Sequence, residues 1–262
     1  MLVSIVTAVW NRAATIGQSM ASVRAQSYPQ IEHILQDGGS TDGTLEVIAA
    51  QSDTRTELAS APDSGLYDAL NKGIARATGD VIGLVHSDDY LAAPDVLARV
   101  ARVFEDPQVD AVYGDLDYIT PQGDRLVRSW RSGPFERSSL WRGWMPPHPT
   151  LYLRRRVLAA HGTFDTSFRI SADYDAVLRY FSQPGFRAVH IPSVFVRMRV
   201  GGASNASLGR VLVKSREDYR ALRKNRITPA SLALAGKNLS KIGQFARFGA
   251  PVPPTIAQKE TA

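Results

Sequence analysis

The feature that most constrains the fold of this 262-residue chain is an apolar run, Val81 to Val85, which leads to two adjacent carboxylates, Asp88 and Asp89. An uninterrupted apolar run is typical of a strand buried on both faces of a parallel sheet. Open α/β sheets bind their ligands at the carboxyl ends of such strands. The run therefore predicts a binding site around Asp88 and Asp89.

Two neighbouring aspartates repel each other and lose solvation when they are buried, so a cation beside them would offset the cost. A divalent ion such as Mn²⁺ or Mg²⁺ prefers oxygen ligands, keeps several waters and takes further ligands from substrate phosphates. The alternative is structural, because Ser87 and Asp88 could instead cap the helix after Pro94 or shape a turn.

Strand and helix patterns alternate along the first ninety residues. Strands are expected at Leu2–Ala8, Ile31–Gln36 and Glu57–Ser60, with helices at Asn11–Gln26 and Leu66–Ala77. This alternation predicts an α/β fold with a doubly wound, mostly parallel sheet. The chain lacks G-x-G-x-x-G and the P-loop pattern, which argues against dinucleotide-binding and ATPase classes.

Further elements are predicted in the second half of the chain. They are a helix at Asp95–Glu105, a strand at Val109–Ile119, a hairpin turn at 121–124, and one or two late strands at Phe186–Val200 broken at Pro192. The irregular segment Arg128–Pro149 holds three of the four tryptophans. Such aromatics suit stacking on a sugar or packing in a core, and we expect this segment to shape the acceptor side of a cleft.

Charge and composition narrow the class of protein. The chain has no cysteine, which excludes thiolate metal sites and cysteine nucleophiles. It has no basic leader and no apolar stretch long enough to span a membrane, so we expect a cytoplasmic protein. From Arg210 to the end, eleven Lys or Arg face three Asp or Glu, whereas residues 1–209 carry a net charge of −2.

The basic end of the chain favours an anionic partner, either a membrane surface or a nucleic acid. Ser231–Phe248 has the pattern of a basic amphipathic helix, which could lie on a membrane or dock on the body of the protein. Gly201–Asn205 is expected to be a flexible loop, and 251–262 a disordered end.

Single residues remain ambiguous from their spacing alone. Asp37 follows a strand and could accept a hydrogen bond from a ligand or cap the next helix. Asp173 and Asp175 fall in the first turn of a predicted helix, where carboxylates complement the helix dipole, and at most one of them can face a cleft. His148 lies between two prolines and could be structural or a ligand.

Several motifs occur together in order: Ser4–Thr7 with Asn11, then Asp37–Thr44, Asp63–Gly73, Ala77–Asp80, Ser87–Asp89, His148–Thr150 and Ala172–Asp175. Together they resemble the inverting family 2 glycosyltransferases with the GT-A fold, over roughly residues 2–205. The resemblance is to small bacterial transferases that build polysaccharides and glycolipids. It implies a nucleotide-sugar-binding half at 1–120, an acceptor half at 121–205, and basic helices at 206–250.

The resemblance also implies site residues. Asp173 matches the catalytic base, and Asp89 matches a ligand of a divalent cation, Mn²⁺ or Mg²⁺. The positions that match the donor-binding surface are Thr7, Asn11, Asp37, Asp63, Asp68, Lys72, Asp88 and His148. The loop at 201–205 could close over the donor.

The implied reaction moves a sugar from a nucleotide sugar, by family habit a UDP-sugar, to a hydroxyl of a saccharide or lipid-linked acceptor. Two other classes stay open: a sugar nucleotidyltransferase, which would normally carry a glycine-rich basic loop that Thr7–Thr15 lacks, and a non-catalytic module that binds nucleic acid or a partner through the basic tail. The neutral-to-acidic body argues against a nucleic-acid partner. Residues 210–248 are the expected contact with an anionic membrane, on its inner face.

Overall fold

The computed structural model describes residues 1–201, 208–240, 244 and 248–252. Within this part of the chain, nine strands form one sheet against which the helices pack. The strands are β1 (Val3–Val9), β2 (Ile31–Asp37), β3 (Thr56–Ser60), β4 (Val81–Leu84), β5 (Tyr90–Leu91), β6 (Ala111–Ile119), β7 (Leu126–Trp130), β8 (Tyr152–Arg154) and β9 (Ala188–Arg199). The α-helices are α1 (Ala13–Arg24), α2 (Thr44–Gln51), α3 (Leu66–Arg76), α4 (Val96–Val103), α5 (Arg155–His161), α6 (Ala172–Phe181), α7 (Leu208–Lys224) and α8 (Ala230–Leu239).

The first half is a parallel sheet in the order β3-β2-β1-β4. Val9 of β1 lies opposite Asp37 of β2, and Val6 lies opposite Leu84 of β4. Because the strands are parallel and in this register, the residues after β1, β2 and β4 meet at one edge. The predicted α/β class with a mostly parallel sheet and C-terminal helices is confirmed.

Strand β4 is buried on both faces, as its apolar sequence predicts. Ile82 and Leu84 join one buried cluster, whereas Val81 and Val85 join another, because successive side chains of a strand point to opposite faces. Gly83 is required by its neighbour, since a Cβ atom there would lie 2.4 Å from the ring of Tyr152.

The structural alternative for Ser87 and Asp88 is wrong as far as helix capping is concerned. Helix α4 begins at Val96, and its N-cap residue is Asp95. The carboxylate at Asp88 is thus seven residues before that cap and cannot serve it.

The second half adds antiparallel strands to the sheet. Strand β8 pairs antiparallel with β4 and β6, and β9 runs parallel to β6. The expected break at Pro192 does not end the strand. The register of β9 against β6 shifts between the pairs Tyr113–His190 and Asp115–Val194, and Pro192, which has no N–H to donate, falls inside this irregularity.

Helix α8 is shorter than the predicted helix at 231–248, and it docks on the body of the protein. A Cβ atom on Gly143 would lie 2.0 Å from the carbonyl oxygen of Ala233, and one on Gly236 would lie 2.3 Å from that of Arg142. Both glycines are therefore needed for the helix to approach the 3-10 helix Arg137–Arg142 this closely.

The end of the described chain also corrects the sequence analysis. The backbone N–H of Val252 donates to Asp124, and Pro251 forms a bridge with Arg125, so the predicted disordered end is ordered at these two residues. Residues 202–207, which include most of the predicted loop, and 253–262 lie outside the described residues. No helix in the described part of the chain combines the length and the apolar character needed to cross a membrane.

Candidate active site

Three side chains from distant parts of the sequence form a chain at the carboxyl edge of the sheet. Oδ2 of Asp173, in the first turn of α6, lies 2.9 Å from Nδ1 of His148, which begins the 3-10 helix His148–Thr150. Nε2 of His148 lies 3.4 Å from Nε2 of His86, in the loop that leaves β4. The backbone N–H of Asp89 donates to the carbonyl of His86, so this series of contacts connects Asp173 to Asp89.

Asp173 has one engaged oxygen and one accessible oxygen. Its side chain is 17% exposed, and the neighbouring His148 holds its pKa well below the ordinary value although burial opposes this. Oδ1 lies 3.2 Å from the hydroxyl of Tyr67, whose proton has a nearer acceptor, the carbonyl of Ile170 at 2.5 Å. Oδ1 is thus left with a free lone pair, while Oδ2 accepts from His148.

His86 is neutral at physiological pH. Burial and the neighbouring His148 lower its pKa to about 4. The Nδ1–H of His148 donates to the ionised carboxylate of Asp173. The other ring nitrogen, Nε2, points away from Asp173 and faces Nε2 of the neutral His86. The two rings meet edge to face with centroids 5.6 Å apart, which fixes the orientation of His148 toward Asp173.

The structure separates Asp173 from Asp175, which the sequence could not do. Asp175 is fully buried, and its carboxylate accepts from Lys224 and Asn225 of α7 and its C-terminal end, both at 3.0 Å. Arg179 lies 3.4 Å from the same carboxylate. Asp175 therefore joins α6 to α7, and Asp173 alone faces the cleft.

Asp89 is a buried carboxylate with one unpartnered oxygen. Its exposure is 0%, Oδ1 accepts from the backbone N–H of Arg199 at 3.1 Å, and Oδ2 has no hydrogen-bond partner. Burial, and next the charge of Asp88, raise the pKa of Asp89 well above its ordinary value. A buried charge without a partner costs several kcal/mol, so Asp89 has the character of a ligand for a cation.

The donor set fits a divalent cation that is held only in part by the protein. Among the residues that the structure describes, no group of three or more His, Cys, Asp or Glu surrounds a common point. Mg²⁺ and similar ions are usually held by one or two carboxylates, with waters and substrate phosphates completing the shell. Oδ2 of Asp89, and the half-buried Asp88 beside it, would supply that carboxylate component.

Asp37 is held by hydrogen bonds from the protein itself. Its buried carboxylate accepts from the backbone N–H groups of Gly39 and Ser40 and from the hydroxyls of Ser40 and Ser60. These hydrogen bonds hold its pKa below the ordinary value in spite of its burial. Oδ2 accepts three of these hydrogen bonds and Oδ1 accepts only the one from the Ser40 hydroxyl, so Asp37 holds the turn at 38–40 mainly through Oδ2.

The three charged residues of the 63–72 stretch also make internal contacts. Asp63 accepts from the N–H of Gly65 and lies against Gly38, where a Cβ atom would come within 2.4 Å of its Oδ2. Asp68 accepts from the N–H of Ser64, and its Oδ2 lies 2.9 Å from Lys72, whose ammonium also donates to Pro62. This network fixes the loop that enters α3 beside the turn at 38–40.

Thr7 and Asn11, which were also predicted to bind the nucleotide-sugar donor, differ in their environment. Thr7 is fully buried, its hydroxyl donates to the carbonyl of Val85, and it contacts His33, so the structure gives it no surface for a ligand. Asn11 has a φ of 50°, and its side-chain oxygen accepts from Thr41. A left-handed asparagine at a strand end joins the loop after β1 to the loop after β2.

Sequence reasoning missed three residues of this site. His86 lies between the apolar run Val81–Val85 and the two aspartates, and that position could have identified it as a site residue. Tyr67 lies in the first turn of α3, and its hydroxyl is 3.2 Å from Oδ1 of Asp173. Arg199 ends β9, and its guanidinium donates to the carbonyl of Asp88 at 2.6 Å and to that of Pro121, beside the Asp89 site.

A parallel half-sheet with carboxylates at its carboxyl edge, beside a carboxylate–imidazole pair from the second half, defines an α/β transferase of the GT-A type. The sequence model for glycosyl transferase family 2 matches residues 4–175. The chain belongs to the family 2 glycosyltransferases.

Relatives of known name agree. A PGL/p-HBAD biosynthesis glycosyltransferase of Mycobacterium bovis is 32% identical over 221 residues, which cover 80% of this chain and 82% of the relative. An uncharacterized glycosyltransferase of Mycobacterium tuberculosis is 34% identical over 183 residues, which cover 68% of each chain. Both relatives are glycosyltransferases, which agrees with the family and supports the same enzyme class for this chain.

Solved structures share the fold at low sequence identity. A mannosyltransferase of Pyrobaculum calidifontis in complex with GDP-Man and Mn²⁺ superposes with a TM-score of 0.63 at 18% identity, over 91% of this chain and 73% of that one. S. aureus TarS 1-349 in complex with UDP-GlcNAc gives 0.68 at 16% identity, over 91% and 70%. The GT-A fold is confirmed by both.

Proposed function

We propose that this protein is a metal-dependent, inverting glycosyltransferase. It moves a sugar from a nucleotide sugar, a UDP-sugar in the first instance, to a hydroxyl of a saccharide or lipid-linked acceptor during the synthesis of cell-surface polysaccharide or glycolipid. The observation that carries the proposal is the contact of Asp173 with His148, in a chain that reaches the Asp88–Asp89 edge of the sheet. A proton acceptor and a cation ligand thus lie on different elements around one cleft.

Asp173 is the proposed general base. His148 donates to Oδ2 and keeps the carboxylate ionised, while Oδ1 takes the proton of the acceptor hydroxyl as that oxygen attacks the anomeric carbon. A carboxylate with a lowered pKa suffices, because the proton becomes acidic only as the new C–O bond forms. One base and one displacement invert the anomeric centre.

The leaving group is a nucleoside diphosphate, which needs its developing charge stabilised. Asp89 would hold the cation through Oδ2, with Asp88 beside it. A divalent ion bound there supplies Lewis-acid stabilisation of the phosphoryl oxygens. Arg199 holds both residues, because its backbone N–H donates to Oδ1 of Asp89 and its guanidinium donates to the carbonyl of Asp88.

The donor's nucleoside is proposed to lie over the turn at 38–40 and the loop at 63–65. Asp37 contributes by holding that turn, and Asp63, Asp68 and Lys72 by holding the loop. The mannosyltransferase complex contains GDP-Man and the TarS complex contains UDP-GlcNAc, so the fold accommodates either nucleotide. Family habit favours uridine for this chain.

Incubation of the purified protein with a panel of nucleotide sugars and Mn²⁺ tests this function. Without acceptor, we expect slow release of a nucleoside diphosphate from one donor, and its loss with EDTA or in Asp89→Ala. Release of pyrophosphate would instead identify a nucleotidyltransferase. Binding of nucleic acid with a steep salt dependence, and with no donor turnover, would contradict the proposal.

The proposed membrane contact is the outer face of α7 and α8. Leu212, Leu232 and Leu239 are 68%, 62% and 65% exposed, although each is large and apolar. Helix α7 carries exposed arginines such as Arg216 and Arg223, whereas Lys237, the one basic residue of α8, is buried. Exposed apolar side chains next to these arginines suit an anionic bilayer surface. The opposite face of α8 docks on the body, so the docked helix still presents its outer face for the proposed membrane contact.

Replacing Leu232 and Leu239 by serine is expected to weaken binding to phosphatidylglycerol vesicles by about tenfold or more. Full burial of a leucine side chain contributes roughly 1.5–3 kcal/mol to binding, and partial insertion into the bilayer contributes only a part of that. Co-sedimentation with vesicles measures the change. The matched control is Ala235→Ser, an exposed position on the same helix. Equal sedimentation of all three proteins would refute the membrane contact.

A further inference from the structure

A large cavity lies away from the proposed donor loops, between the segment that follows β7 and helix α8. Its volume is about 590 Å³. Pockets for small ligands commonly fall between roughly 300 and 1,000 Å³. The residues that matter for its chemistry are Trp130, Arg131, Arg142, Trp144, Lys237 and Ser240. None of them is assigned a role in donor binding.

The lining combines fixed aromatic surface with polar groups. Trp144 packs against Phe135 and Phe181 with ring centroids 5.2 and 5.7 Å apart, and its Nε1–H donates to the carbonyl of Ser132 at 3.0 Å. Its indole is therefore held rigidly in the wall. A pyranose ring has an apolar face of C–H groups and an edge of hydroxyls, so it needs a flat aromatic surface and side chains that hydrogen-bond at its edge.

Arg142 supplies such a polar group. Its side chain is exposed, and it makes no hydrogen bond or ion pair with other residues of the described chain. Arg131 differs, because Asp117 holds it at 2.8 Å, so it is fixed in place. The hydroxyl of Ser240 lies on the α8 side of the cavity. The wall thus offers one guanidinium that is free for ligand hydroxyls and one that is preorganised.

The cavity lies next to the proposed base. Lys237, in its lining, has its ammonium 3.2 Å from the ring centroid of Tyr174, the residue that follows Asp173. The positive charge of Lys237 contributes to the lowered pKa of Asp173. On the other wall, Trp144 precedes His148 by four residues. Asp173 does not itself line the cavity, and Lys237 is the residue that connects the cavity to the turn of α6 that carries Asp173.

Helix α8 forms one wall of this cavity and is fixed in place by buried contacts. Lys237 is 5% exposed and lies 2.9 Å from Asp218 of α7, which Lys214 also approaches at 2.9 Å. A buried ion pair is costly to break because the remaining charge is left without a partner, so this cluster holds α8 in place. The glycine contacts at Gly143 and Gly236 bring the helix backbone against the opposite wall.

We propose that this cavity is the binding site for a saccharide acceptor and that α8 completes it. The saccharide stacks on the indoles and donates or accepts hydrogen bonds at Arg142 and Ser240, with the attacking hydroxyl directed toward Asp173. This assignment rests on the proposed transferase function. It gives the C-terminal helices a second role, because one face of α8 forms the acceptor site while the other is exposed.

The absence of cysteine from the natural chain allows a direct test. Ser240→Cys places a single thiol in the cavity, and Ser138→Cys places one on the exposed surface of the neighbouring 3-10 helix as the control. The rate of labelling by N-ethylmaleimide is measured with methyl pyranosides of glucose, galactose, mannose and N-acetylglucosamine, and with their disaccharides. At about ten times its dissociation constant, a bound saccharide slows labelling roughly tenfold.

We expect at least one saccharide to protect Cys at position 240 and none to protect it at position 138, and we expect Arg142→Ala to remove the protection. Unprotected labelling at position 240 with every saccharide overturns the assignment. Donor hydrolysis by the Ser138→Cys protein is measured in parallel. Protection without any donor turnover would refute the transferase function and leave a saccharide site, whereas turnover without protection would refute only the site.

Discussion

Asparagine at position 173 is expected to lower the rate of sugar transfer by about 10²- to 10⁴-fold, the usual contribution of a general base. The amide keeps the size of the side chain and its contact with His148, but it cannot take the acceptor proton. Donor binding is expected to change little, because Asp173 lies on the acceptor side of the cleft. Transfer of labelled sugar gives the rate, and calorimetric titration with the nucleoside diphosphate gives donor affinity.

Asp175→Asn is the matched control on the same helix. It removes the charge that pairs with Lys224 and Arg179, so we expect lower stability, by as much as about 3–5 kcal/mol for a broken buried pair. The folded fraction should keep its turnover rate. If Asp173→Asn transferred sugar at the original rate, or if Asp175→Asn lost turnover while folded, the assignment of the base would be wrong.

Asparagine at position 89 is expected to lower the turnover rate without lowering the stability of the metal-free protein. Loss of the carboxylate that holds the cation should remove metal-stimulated turnover, an effect of several kcal/mol, or roughly 10²- to 10³-fold. In EDTA, the same change should leave the protein at least as stable as before, because it removes a buried charge with an unpartnered oxygen. Turnover at saturating Mn²⁺ and denaturant unfolding in EDTA measure the two effects.

The stability difference should depend on pH with a definite sign. The pKa of Asp89 is raised in the folded protein, so folding holds its proton more tightly than the unfolded chain does. Above the unfolded value of about 3.9, the stability of the metal-free natural protein therefore falls as pH rises, and Asp89→Asn lacks this fall. Parallel pH profiles would show that folding does not raise the pKa of Asp89, and full turnover of the variant would show that Asp89 is not the cation ligand.

Local sequence predicted much of the first half of the fold. The run at Val81–Val85 could only be buried on both faces, and the alternation around it requires a parallel sheet. Strand ends of a parallel sheet meet at one edge, so Asp37 and Asp89 could be placed near each other before any coordinates. Even here the sequence could not show that the carboxylate of Asp37 accepts hydrogen bonds from the turn at 38–40.

The second half was less predictable because its geometry depends on long-range packing. The proline at 192 favours a strand break locally, yet pairing with β6 keeps one strand through the irregularity. The direction of Ser231–Phe248 was ambiguous for a related reason. An amphipathic pattern shows that one face is apolar, but only the close contacts at Gly143 and Gly236 determine what that face meets.

The sequence by itself determined the class of fold, the family, and the edge of the sheet at which the carboxylates lie, because these follow from periodicity and from motifs that are local in the chain. The tertiary structure decided which carboxylate does what. Asp173 faces His148, whereas Asp175 binds α7, and the choice depends on helix rotation and on partners 25 to 50 residues away. The His86–His148 contact and the cavity under α8 join side chains that are still farther apart in the sequence, and no local pattern encodes such contacts.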